Sequence, residues 1–100
     1  MDNKYDISEF VDVITIDYIK VELVNRFIKR RKEAKISQKE LAIRSGVSYG
    51  SIRRFESTGE ISLRSLLFLA QEIDCLSDFN ELFKYEYILL RQYDTFLLVS

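Results

Sequence analysis

Hydrophobic positions recur at helical spacing through the middle of the chain. Leu23, Val24, Phe27 and Ile28, with Arg31 in register, predict a helix running to about Ala34. Ile36 then leads into Ser37-Gln38-Lys39-Glu40, a Ser-x-x-Glu capping box. In such a box the hydroxyl accepts from a free backbone N–H and the carboxylate reaches back to the cap. A short helix follows with Leu41 and Ala42 inward. It stops at Gly46, a residue free to take the positive φ that closes a helix. Ser48 opens a third helix through Ile52 and Phe55. Ser62 opens a fourth, in which Leu63, Leu66, Leu67, Ala70 and Ile73 form an amphipathic stripe to about Asp74. Ser77 is placed as the cap of a last short helix carrying Phe79, Leu82 and Phe83.

The two ends follow other patterns. Phe10 to Ile19 is rich in Val, Ile and Tyr and reads either as a strand or as the front of the first helix, which we place from about Tyr18. Tyr85, Tyr87 and Leu89, and then Phe96-Leu97-Leu98-Val99, read more like strand than helix. The organisation predicted is an N-terminal extension over 1–19, a helical domain over 20–84 and an apolar tail over 85–100. There are no Pro- or Gly-rich linkers and no internal repeat.

Composition narrows the chemistry. A chain of 100 residues with 47% hydrophobic and 31% charged residues is expected to fold as one ordinary domain. It contains no His and a single Cys, Cys75. This excludes a His-activated nucleophile, a Cys/His zinc site and an internal disulfide. We expect no catalytic residues, no metal and no cofactor. Asp74 and Asp78 read as capping and surface charge, and Cys75 as a small buried residue. No apolar run approaches the roughly 20 residues that span a bilayer, and the acidic start lacks the pattern of a signal peptide. The expectation is a cytoplasmic protein with no membrane partner.

The net charge of −1 conceals an uneven distribution. Residues 1–19 carry one cation and five anions, net −4. Residues 20–56 carry eleven cations and four anions, net +7. Residues 57–100 carry three cations and seven anions, net −4. A basic block of this kind is either a solvated helix face or the footprint of a phosphate backbone.

The block coincides with an informative spacing over Gln38 to Ser57. A small residue at Ala42 lets the next helix cross closely, Gly46 permits the turn, and Ile52 and Phe55 pack back under the first helix of the pair. The outer face of the second helix, with Tyr49, Gly50, Arg53 and Arg54, is then free to enter a major groove. The alternative is a plain helical hairpin in a bundle.

On these residues the chain resembles the Cro/repressor helix-turn-helix proteins, the XRE family. The resemblance runs from Arg26 to Phe83 and rests on Ile36-Ser37-Gln38-Lys39-Glu40-Leu41-Ala42, Ser45-Gly46-Val47-Ser48 and Ile52-Arg53-Arg54-Phe55-Glu56. It implies an all-α, five-helix DNA-binding domain of the lambda-repressor type, with the motif over 38–57. The fuller pattern, continuing through Thr58-Gly59-Glu60-Ile61-Ser62-Leu63, is similar to a subgroup encoded beside HipA-type toxin kinases. That implies an antitoxin role as the alternative to a transcriptional repressor; a helical interaction module without DNA binding is the third reading.

The resemblance also implies roles by position. Gln38 would bond a phosphate or brace the recognition helix, while Lys35 and Lys39 would clamp the backbone. Ser48 and Tyr49 would stand near base edges or backbone, and Ser51 near a phosphate. Arg53 or Arg54 would pair with a guanine, or both would hold phosphates. Arg31 and Glu56 would form a partly buried ion pair joining the first helix to the end of the third. Such proteins bind double-stranded DNA as two-fold homodimers on half-sites about 34 Å apart. The apolar tail and the Val/Ile-rich N-terminal segment are the dimer candidates. Two residues depart from the pattern. Gly50 stands where many relatives carry a base-reading side chain, so it either allows close approach to DNA or removes a contact. Tyr49 is bulkier than the usual polar residue and would meet a thymine methyl or a sugar.

Overall fold

The computed structural model describes residues 14–85, and the strand readings of Phe10–Val13 and of the tail from residue 86 lie outside them. Five helices make up the described chain: α1 (Ile16–Glu33), α2 (Gln38–Ser45), α3 (Tyr49–Thr58), α4 (Leu63–Glu72) and α5 (Leu76–Phe79). The fold is all-α, with no strand among the described residues.

Each of the first four helices starts on a hydroxyl. Thr15, Ser37, Ser48 and Ser62 have extended backbones, and their side-chain oxygens accept from the N–H of Tyr18, Glu40, Ser51 and Ser65. Such a cap satisfies one of the donors that a helix start leaves free and stabilises it by about 1 kcal/mol. Thr15 moves the start of α1 to Ile16, ahead of the expected Tyr18. The capping box at Ser37 is half formed: the Glu40 carboxylate accepts from Arg44 at 2.5 Å on its own helix, while Ser37 accepts from Glu40 N–H. Helices α2 and α3 both end on glycine in the left-handed region, Gly46 and Gly59, each at φ 81°.

The core gathers one side of every long helix. Leu41 of α2, Ile52 of α3 and Leu69 of α4 are fully buried. Val24 and Phe27 of α1, with Ile36, Val47, Phe55, Ala70, Ile73 and Cys75, complete it. The rings of Phe27 and Phe55 meet edge to face, 5.2 Å between centroids at 80°, and fix α3 against α1.

Four expectations are corrected. On α4 the inward stripe is Leu66, Leu69, Ala70 and Ile73; Leu63 faces out, 66% exposed. Leucines at 63, 66, 67 and 69 wrap most of the helix, so two stripes fit helical spacing and the packing of α2 against α4 selects one. Leu23 on α1 is likewise outside the core. Ser77 lies inside α5 and caps nothing, since that helix begins after Cys75 and has no side-chain cap. The helix also stops at Phe79, which packs on the core, while Leu82 and Phe83 lie beyond it and are exposed.

Candidate nucleic-acid interface

The segment between α2 and α3 is short because Gly46 takes a left-handed turn and Ser48 starts the next helix two residues later. Val47 is buried between them and pins the turn to the core. This leaves α3 with Ile52 and Phe55 inward and Tyr49, Gly50, Ser51, Arg53 and Arg54 exposed.

A buried ion pair fixes how α3 sits. Arg31, near the end of α1, donates from Nε to Glu56 Oε2 at 2.7 Å and from Nη2 to Oε1 at 2.9 Å. The two side chains are only 10% and 7% exposed. A two-pronged guanidinium–carboxylate contact constrains orientation as well as distance. Arg31 Nη1 also donates to the carbonyl of Ile36 at 3.1 Å, which ties in the chain just before α2. Gln38 Nε2 donates to Glu56 Oε1 at 2.7 Å, adding the start of α2. One carboxylate thus joins α1, α2 and α3.

The exposed face is cationic. Among the described residues, Arg26, Arg30, Arg44, Lys20 and Lys84 each have a carboxylate within ion-pair range. Lys35, Lys39, Arg53 and Arg54 have none there, a state they share with Lys29, Lys32 and Arg64. Lys35 sits at φ 60° in the link before α2. Tyr49 gathers two of the four: Lys39 Nζ lies 5.7 Å and the Arg53 guanidinium 5.6 Å from its ring centroid. The Lys39 contact reaches across from α2 to α3 and was not legible in the sequence, because it depends on how the helices cross, whereas Arg53 and Tyr49 are one turn apart on α3 itself. Ser48 and Ser51 hydroxyls bond each other at 2.8 Å while Ser48 caps the helix. Arg53, Arg54, Gln38 and Ser57 line an open groove of about 560 Å³ beside Gly50.

The model of a family described as Helix-turn-helix matches residues 28–78, half of the chain. The chain belongs to the XRE-type helix-turn-helix family. No curated protein and no solved structure matches it. Membership in the helix-turn-helix family points to a DNA-binding regulator of transcription. Within the matched residues, α2 and α3 are the two helices joined by the short turn at Gly46. No helix among the described residues is long and apolar enough to cross a membrane. Nor do three His, Cys, Asp or Glu side chains come together there to hold a metal ion.

Proposed function

We propose that the chain is a sequence-specific repressor that binds double-stranded DNA as a homodimer and lays α3, from Tyr49 to about Ser57, in the major groove. The observation that carries the reading is the pairing of two features on one helix. Its inner end is locked by Arg31, Gln38 and Glu56, and its outer face presents Arg53 and Arg54 without a carboxylate partner among the described residues. A rigid helix whose guanidiniums are held by no carboxylate among the described residues is what bidentate reading of base edges needs. Lys35 and Lys39 flank it and supply phosphate contacts that set the register.

One helix reads only a few base pairs, which is why two copies are needed. Leu63 and Phe68 on α4 are exposed, with Ile16, Ile19 and Leu23 on α1, and supply apolar surface for a second copy. Selection of bound duplexes from a random pool tests the reading. The expected product is a two-fold symmetric site with half-sites about one helical turn apart. A pool that shows no enrichment at low salt counts against it.

A further inference from the structure

The chain has three glycines, and two of them have a reason inside the protein. Gly46 and Gly59 close α2 and α3 at φ 81°, where other residues are strained. Gly50 is different. It lies within α3 with ordinary helical backbone. A Cβ built on it would meet nothing within 4 Å beyond its own helix. Alanine would therefore fit the free protein and make a better helix. Among the described residues nothing requires glycine at this position.

At about 100° per residue, Gly50 points roughly opposite the buried Ile52 and Phe55, at the middle of the outward face. Arg53 and Arg54 stand one turn further on, to either side of it, and all three line the same open groove. We propose that Gly50 is the point of closest approach between the protein and double-stranded DNA. The helix backbone there seats directly against the base edges of the major groove, so that the two flanking arginines reach their partners. This rests on the DNA-binding reading above. It decides between the two roles that the sequence leaves open for Gly50: a seat rather than a missing contact.

The seat fixes depth. A helix with its side chains nearly fills the major groove, so the residue at the centre of the outward face decides how far the helix enters. One added carbon holds the helix off by up to about 1.5 Å, the length of a carbon–carbon bond. An arginine–guanine hydrogen bond near 2.9 Å does not survive a displacement of that size.

The test compares wild type, Gly50→Ala and Gly50→Gln for melting temperature and for affinity to a duplex selected with the wild type. Gly50→Ala should melt no lower than wild type and up to a few degrees higher. It should nevertheless bind at least tenfold more weakly, and Gly50→Gln more weakly still. Affinity then falls without a fall in stability, which a general loss of structure does not produce. Unchanged or tighter binding by either variant, or a lower melting temperature for Gly50→Ala, overturns the proposal. If the wild type itself selects no duplex, the DNA-binding reading fails and this inference with it. If the wild type binds and Gly50→Ala binds equally, only the inference fails.

Discussion

Replacing Glu56 by alanine tests the arrangement on which α3 depends. The carboxylate accepts three bonds, at 2.7, 2.9 and 2.7 Å, two from Arg31 and one from Gln38. Removing it leaves the Arg31 guanidinium 10% exposed with only the Ile36 carbonyl to accept from it. An uncompensated buried charge of this kind costs about 3–5 kcal/mol. A domain of this size has roughly 5–15 kcal/mol in total, so the variant should be marginal. With a urea dependence of about 2 kcal/mol per molar, the unfolding midpoint should fall by roughly 2 M. Circular dichroism during urea titration reads this directly. A double change, Arg31→Met with Glu56→Leu, removes both charges and fills the space with apolar groups. It should recover much of the loss, because the penalty lies in the stranded partner. A midpoint for Glu56→Ala within about 0.3 M of wild type would refute the reasoning and reduce the pair to a solvated contact.

Gly46→Ala should destabilise the fold by about 1 kcal/mol in the same assay, since alanine at φ 81° is strained. The hydrogen bond from Lys20 holds the Glu60 carboxyl below its usual range, with the Lys20 charge acting in the same sense. A depressed carboxylate stabilises the fold above its unfolded pKa and loses that contribution as pH falls through the folded value. Wild type and Glu60→Gln should therefore melt apart at neutral pH and converge in acid; a gap that persists at pH 2 sinks the assignment. Burial pushes the Cys75 thiol above its ordinary value, so it stays protonated near neutrality. Iodoacetamide should label it slowly in the native protein and readily in urea, and equal rates would place it on the surface.

Much of this fold was legible because it is written locally. Ser37, Ser48 and Ser62 announce helix starts, and Gly46 announces a stop, through chemistry that acts within four residues. The spacing of Ala42, Gly46, Ile52 and Phe55 is a statement about two adjacent helices and so also reads from the chain. What failed depended on distant packing. Leu69 rather than Leu63 faces the core because α2 lies on that side, which no local pattern fixes. Ser77 looks like a cap, yet the turn before it begins at Cys75. On the candidate interface, the exposure of Arg53 and Arg54 followed from helical spacing. The bond from Gln38 to Glu56 and the contact of Lys39 with Tyr49 did not, because both cross from α2 to α3.

The central claim is that the cations around α3, which have no carboxylate partner among the described residues, grip a DNA duplex. Its most direct test is affinity for a selected duplex measured across salt concentrations, for wild type, for Lys35→Ala with Lys39→Ala, and for Arg53→Ala with Arg54→Ala. Two copies each using Lys35 and Lys39 on phosphates should give a slope of log affinity against log salt of roughly −4. Loss of both lysines from each copy should flatten the slope, whereas loss of both arginines should weaken binding to the selected duplex with little change of slope. Binding that ignores salt, or a slope that the lysine variant leaves unchanged, would contradict the account.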